Sequence, residues 1–259
     1  MKTKIGQSNI LFMVLDALRY DVAQAQFLQG NLPNFQKYLP NTGWEKRYAP
    51  CSFTYPSHKA FFAGFLPTKI DATITPRLFA TTFHGSESTV ADTFTFEEND
   101  LITALRNRNY ATHCIGGVGF FNKQTKISQE FPGLFEESYW AVETGVTEKA
   151  STQYQFEVAE KWITERKRKF CLFINVPAIH QPNYFYSRSE KRDDLVSHAA
   201  ALKYVESQLP TLMNAVEKKG PCFCIICSDH GTAYGEDGHW GHRNGHSTVM
   251  EVPYINFEI

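Results

Sequence analysis

The chain has 259 residues, with 26 Lys plus Arg against 27 Asp plus Glu and a formal charge of −1. That balance excludes a nucleic-acid binder held by bulk charge, because neutralising phosphates takes a basic face; a local basic pocket stays open. With 42% hydrophobic and 20% charged residues the composition is globular rather than disordered, and the length suits one α/β domain whose core needs no disulfide or metal staple.

Asn9–Leu15 (NILFMVL) is a continuous apolar run that stops at Asp16, the pattern of a buried parallel strand with an acid at its C-terminal end. The run is too short to span a bilayer and no small-residue cleavage site follows, so neither a membrane span nor a signal peptide is expected. A polar turn with Pro56 leads into a helix over 57–65, and Thr54 sits just before it. Residues 68–92, rich in Thr, Ser and Phe, read as a loop excursion beside the site. A helix is expected over 100–108, with Leu101, Ile102 and Leu105 on one face, then a strand over Ala111–Ile115. Phe156, Ala159, Trp162 and Ile163 mark a helix over 152–166, and Phe170–Val176 is the next strand. Ala201, Leu202, Val205 and Leu209 mark a helix over 197–209, followed by strands at Cys222–Cys227 and Pro253–Phe257.

Strands alternating with helices predict a mainly parallel sheet with helices on both faces. No repeat or composition shift divides the chain, so 1–259 is expected to form a single domain. Cys222, Cys224 and Cys227 look superficially like a metal cluster, but Phe223, Ile225 and Ile226 interleave them in a strand, which keeps the sulfurs apart. Free thiols in such runs fit a reducing cytoplasm, which is the compartment expected.

In a sheet of this kind ligands bind beyond the carboxyl ends of the strands. There the sequence places Asp16, Asn175, His180, and the segment Ser228–Gly231 (SDHG) with Asp229 and His230. His239, His242 and His246 follow within sixteen residues of His230. Carboxylates and imidazoles converging on one sheet edge suit a divalent metal with mixed N/O ligands, and zinc and manganese both fit. Each residue also has a plainer reading: Asp16 as a helix cap, the histidines as solvated residues between turn-forming glycines. Thr54 stands near a helix N-terminus, where free N–H groups and the dipole favour a bound anion and a metal would activate its hydroxyl. The plainer reading makes Thr54 and Ser57 caps. His58, His84, His113 and His198 are expected to be structural; Asn175 and Lys59 are given no role.

These residues resemble the alkaline phosphatase superfamily in its sulfatase and type I phosphodiesterase branches, and the match runs in order along nearly the whole chain. Asn9–Asp21 looks like the first strand, whose terminal Asp binds metal. Leu32–Pro40 (LPNFQKYLP) looks like the sulfatase TPNLxxLA segment. Tyr48–Thr68 looks like the nucleophile segment, with Thr54 on the nucleophile, Pro56 on the proline and Gly64 on the glycine. Cys227–His242 looks like the second metal motif, and Ser247–Ile255 like the strand that follows it. The length is similar to that of a small bacterial sulfatase-like subfamily. Most members of the superfamily continue past the strand matching Val252–Ile259 into a C-terminal subdomain, and the chain is expected to lack it.

The departures matter. Formylglycine sulfatases need Cys or Ser at the nucleophile and Arg four residues on, where this chain has Thr54 and His58. Cys51 does not substitute, because Phe53 stands in place of the required proline. The second acid after the first strand is replaced by Ala17. Thr54–His58 (T-x-P-x-H) is instead similar to nucleotide pyrophosphatase/phosphodiesterases, which bind two zinc ions; in the segment that ends at His180, Val176 replaces their Asp. Bacterial phosphoethanolamine transferases and lipoteichoic acid synthases bind one main metal through an acid, a Thr and the Asp-His of the DHG motif. They keep two further histidines for the phosphate, at the positions of His180 and His242. Those enzymes are membrane-anchored, so the metal arrangement is carried over and the substrate is not.

The resemblance therefore implies a metal-dependent hydrolase or transferase of phosphate mono- or diesters. In it Asp16, Thr54, Asp229 and His230 hold one main metal, Thr54 forms a phospho-threonine intermediate, and His180 and His242 hold oxygens or protonate the leaving group. His246 is the alternative to His242. The competing readings are a sulfate-ester hydrolase without formylglycine and a metal-binding pseudoenzyme or partner protein. The substrate expected is a small-molecule or lipid-headgroup phosphate or sulfate ester.

Overall fold

The structure is a computed structural model and describes residues 1–71, 73, 76–82, 90–187 and 192–259. In chain order its strands and α-helices are β1 (Asn9–Leu15), α1 (Tyr20–Leu28), β2 (Glu45–Tyr48), α2 (Thr54–Phe62), β3 (Thr68–Lys69), β4 (Phe79–Thr81), β5 (Phe94–Phe96), α3 (Leu101–Asn107), β6 (Ala111–Ile115), α4 (Glu130–Gly133), β7 (Glu137–Tyr139), α5 (Ser151–Glu165), β8 (Phe170–Val176), α6 (Leu195–Lys219), β9 (Cys222–Cys227), β10 (Ala233–Tyr234), β11 (Trp240–Gly241), α7 (Ser247–Met250) and β12 (Glu251–Glu258). Eight strands form one sheet in the order β3-β2-β12-β9-β1-β8-β6-β7. The pairs among β9, β1, β8, β6 and β7 are parallel, while β12, β2 and β3 join antiparallel. This is the single α/β domain that the alternating pattern predicts, with its final strand running antiparallel.

β1 lies at the centre and is buried along its whole length. Its residues alternate between two cores, as the strand period requires. Leu11, Met13 and Leu15 join Phe156, Ala159, Leu202 and Val205 of α5 and α6 on one face. Ile10, Phe12 and Val14 join Phe61 and Phe62 of α2 and Leu101, Ile102 and Leu105 of α3 on the other. A sheet covered twice needs apolar side chains on both faces, which is why its strands read as unbroken apolar runs. Cys222 and Cys224, two residues apart on one face, lie in the first core with their sulfurs 3.8 Å apart, and Cys227 lies in the second, so the three do not converge on one point.

α6 runs ten residues past the expected end at 209, straight through Pro210. A proline inside a helix leaves the carbonyl four residues earlier without its donor. Here that carbonyl belongs to Glu206 and accepts the Asn34 side-chain amide at 3.2 Å. The Glu206 carboxylate takes the backbone N–H groups of Asn34 and Phe35 as well, so a loop after α1 repairs the break. The 68–92 stretch is not wholly irregular: it contributes β3 to the sheet edge, and β4 pairs with β5. His84 and the rest of 83–89 lie outside the described residues.

The second core is unusually aromatic. Phe173 of β8 is fully buried and meets Phe12, Phe62, Phe121 and Phe135 at ring-centroid distances of 5.2–5.9 Å. Truncating it leaves a cavity several neighbours cannot close, so Phe173→Ala is expected to cost about 3–5 kcal/mol. Chemical denaturation of the variant beside the wild type measures this.

Candidate active site at the carboxyl ends of three strands

β1, β8 and β9 are adjacent and parallel, so their carboxyl ends carry Asp16, Asn175 and the Ser228–Gly231 turn to one place. Asp16, Asn175, Asp229 and His230 are all fully buried. One oxygen of each carboxylate is satisfied by the protein. Asp16 Oδ2 accepts Asn175 Nδ2 at 2.8 Å, and Asp229 Oδ1 accepts the N–H groups of Ala17 and His230 at 3.2 and 3.0 Å. The other two, Asp16 Oδ1 and Asp229 Oδ2, have no hydrogen-bond partner. Buried carboxylate oxygens left this way are costly unless a cation takes them.

His230 completes the group. Its Nδ1 lies 2.7 Å from the Gly231 carbonyl, so Nδ1 carries the proton and Nε2 keeps a lone pair. That nitrogen is 3.7 Å from Asp16 Oδ1, 3.6 Å from Asp229 Oδ2 and 3.3 Å from Thr54 Oγ1. Ligand atoms of Asp16, Asp229 and His230 all lie within 4.8 Å of one another, the one such group among the described residues. Two carboxylate oxygens without partners and one imidazole nitrogen that meets only the Thr54 hydroxyl, all aimed inward, fit a divalent cation.

Thr54 is the first residue of α2 and is 3% exposed. The N-cap is Phe53, in extended conformation, so Thr54 is free of capping duty and its hydroxyl faces His230. Ser57, one turn on, hooks the helix to the metal-motif turn by sharing its hydroxyl proton between the Asp229 and Cys51 carbonyls at 2.9 and 3.1 Å.

His180 and His242 stand over this floor. Ring centroids are 4.7 Å apart for His230 and His242, 5.6 Å for His180 and His242, and 6.5 Å for His180 and His230. His246 is engaged elsewhere: it caps α7, with Nδ1 2.8 Å from Thr248 Oγ1 and Nε2 3.1 Å from Asp237 Oδ2. The structure thus places His242, rather than His246, beside His230. His239 is exposed against His246.

Three residues given no site role lie beneath the floor. Asn175 orients Asp16 and is held by the Val118 N–H at 3.0 Å, while Gln155 of α5 donates to the Asn175 carbonyl at 2.8 Å. His58 donates from Nδ1 to the Thr54 carbonyl at 2.8 Å and lies 3.7 Å from Asp229 Oδ2. It is enclosed by Phe61, Phe121, Phe131 and Phe173, and burial pulls its pKa down to about 3, so it packs as a neutral ring. Only the fold could reveal these supports, because nothing in the spacing of Gln155 or His58 distinguishes them from core residues. Lys59 pairs with Glu130 at the surface, His113 stacks on Trp162, and His198 binds the Arg19 N–H and the Tyr234 hydroxyl.

Burial and the neighbouring carboxylate push Asp16 up to about 6, and burial pushes Asp229 up to about 7. A carboxyl whose folded pKa is raised contributes stability that is complete below its unfolded value, near 4, and is lost as pH rises through the folded value. In chelator, Asp229→Asn is therefore expected to melt with the wild type near pH 4 and above it at pH 7.5. Thermal melts across that range read the difference directly.

The sulfatase family model matches residues 8–256. The chain belongs to that family, within the alkaline phosphatase superfamily. No curated protein sequence matches it. Among solved structures it is similar to the C-terminal periplasmic domain of the phosphoethanolamine transferase EptC from Campylobacter jejuni, with TM-score 0.62 and 12% identity over 96% of this chain and 78% of that one. The corresponding domain of EptC from Escherichia coli, solved in complex with Zn, gives TM-score 0.61 and 11% identity over 98% of this chain and 74% of that one. An alkaline phosphatase superfamily protein from Vibrio parahaemolyticus gives TM-score 0.57 and 14% identity over 96% and 60%. At these identities the likeness is one of fold.

The cytoplasmic setting expected from the free cysteines does not hold, since two of these matches are periplasmic domains. The reason is that buried thiols carry no compartment signal. Burial pushes the thiols of Cys114, Cys171 and Cys227 well above their ordinary range, and without thiolate character they resist oxidation anywhere. Among the described residues, no helix is long and apolar enough to cross a membrane.

Proposed function

We propose that the chain is a metal-dependent hydrolase or transferase of phosphate esters with Thr54 as nucleophile. One observation carries the reading. Two buried carboxylate oxygens without partners and the lone pair of His230 converge within 4.8 Å, and the Thr54 hydroxyl lies 3.3 Å from that same nitrogen.

Asp16, Asp229 and His230, with Thr54, would hold the cation. Zinc suits two carboxylate oxygens, an imidazole and a hydroxyl, and the Escherichia coli match was solved with Zn. When bound, such an ion lowers the pKa of a hydroxyl and neutralises charge developing on the substrate. Thr54 Oγ1 forms the new bond to phosphorus and the leaving alcohol departs; water or a second alcohol then takes the phosphoryl group from Thr54. His180 and His242 stand over the floor; they would hold non-bridging oxygens, take up the proton that Thr54 Oγ1 loses on attack and pass it to the leaving oxygen. Asn175 fixes Asp16 in the orientation that leaves Oδ1 free. The matches named phosphoethanolamine transferases make a lipid-headgroup phosphate ester a candidate substrate.

Thr54→Ala is expected to abolish turnover of aryl phosphate esters, and wild-type protein quenched during turnover should carry phosphate on Thr54 by mass spectrometry. Wild-type rates in the variant, or phenyl sulfate esters turned over in preference, would overturn the reading. Elemental analysis should find about one divalent ion per chain, lost in Asp229→Ala. Asn175→Ala is expected to weaken metal affinity by about 10–100-fold, the usual effect of removing a group that orients a ligand, measured by chelator competition.

A further inference from the structure

Three cations sit on the segments that carry the site residues, and two are neutralised. Arg19, just after Asp16, is 2% exposed and clamped between Asp21 and Glu236. Lys59 of α2 is paired with Glu130. Arg243, next to His242, is exposed and has no carboxylate or side-chain hydrogen-bond partner among the described residues. Its guanidinium lies over the ring of Phe53, 5.2 Å from the centroid, and Phe53 immediately precedes Thr54.

The backbone holds Arg243 there. Its φ is +73°, a left-handed conformation that non-glycine residues rarely adopt, and its N–H donates to the Ser52 carbonyl at 2.8 Å. One hydrogen bond thus ties the segment carrying His242 to the segment carrying Thr54. A guanidinium beside Phe53 with no counter-ion among the described residues is a ready partner for a carboxylate or phosphate, which it can take with two parallel hydrogen bonds.

Resting on the phosphoryl-transfer reading, we propose that Arg243 is a specificity-determining residue that binds a second anionic group of the substrate, beside the ester that reacts. The reacting group must reach a floor of fully buried residues, whereas Arg243 is exposed at the rim, so the two meet different parts of one molecule. The substrate class is then a phosphate ester whose leaving or flanking portion carries its own phosphate or carboxylate.

Binding tests this without turnover. Calorimetry on metal-loaded protein with inorganic phosphate and with pyrophosphate should show pyrophosphate binding more tightly, by about 10–100-fold for a charge-assisted pair worth roughly 1.5–3 kcal/mol. Arg243→Ala should erase that difference while leaving phosphate affinity within threefold, and Arg243→Lys should restore part of it. Equal affinity for the two anions in the wild type, or an equal loss for both in Arg243→Ala, would overturn the proposal. Aryl phosphate turnover is followed in parallel. Turnover retained without a pyrophosphate preference sinks the role of Arg243 alone. Its absence together with a preserved preference sinks the catalytic reading and leaves an anion-binding site.

Discussion

The structure turns on two carboxylates, Asp16 and Asp229, buried together with one free oxygen each. In water each would be solvated; here burial raises both pKa values toward neutrality, and the Asp229 charge adds to the rise at Asp16. Much of the surrounding local structure serves to hold them in that state. Asn175 and two backbone N–H groups fill the outer oxygens and leave the inner pair facing the same point as His230 Nε2. Ala17 adopts φ +64° to aim its N–H at Asp229, a strained conformation of a kind that persists where the surroundings over-determine it.

The aromatic core beneath the site has an electrostatic consequence as well as a packing one. Phe61, Phe121, Phe131 and Phe173 enclose His58 and exclude water from below Asp229. In such a medium a carboxylate–cation attraction is stronger than in water, and an unpaired carboxylate is more costly. The same layer that stabilises the fold therefore sharpens the demand for a cation. His58 shows how the chain departs from formylglycine sulfatases, in which an arginine stands four residues after the nucleophile. A neutral ring replaces a charge there, and a guanidinium instead lies over Phe53, from Arg243 on another segment.

In the proposed reading, a sulfatase-family frame carries threonine where the resemblance puts the nucleophile, the reactive group of the phosphoryl-transfer branches. The likeness to phosphoethanolamine transferase domains is one of fold. It also removes any argument from cysteine usage to compartment, because strand-buried thiols are inert wherever the protein resides.

The sequence by itself determined the architecture of the central sheet. β1, β6, β8 and β9 begin and end where their runs in the sequence do, since a strand covered on both faces is largely apolar, with Thr112 and Asn175 as hydrogen-bonded exceptions. The same logic marked Asp16, Asp229 and His230, which lie among the first polar residues beyond those runs. Short strands such as β2, β3 and β7 were invisible, because two to four residues carry too little periodicity. Helix α6 was cut at Pro210 because the donor that rescues the freed carbonyl, Asn34, lies 172 residues from Glu206 in the chain. Only the tertiary structure decided between His242 and His246, which sit after equivalent glycines. The choice depends on Asp237 and Thr248 drawing His246 away. It also brought Asn175, Gln155 and His58 beneath Asp16 and Asp229, and Arg243 against Phe53, through contacts between segments distant in sequence.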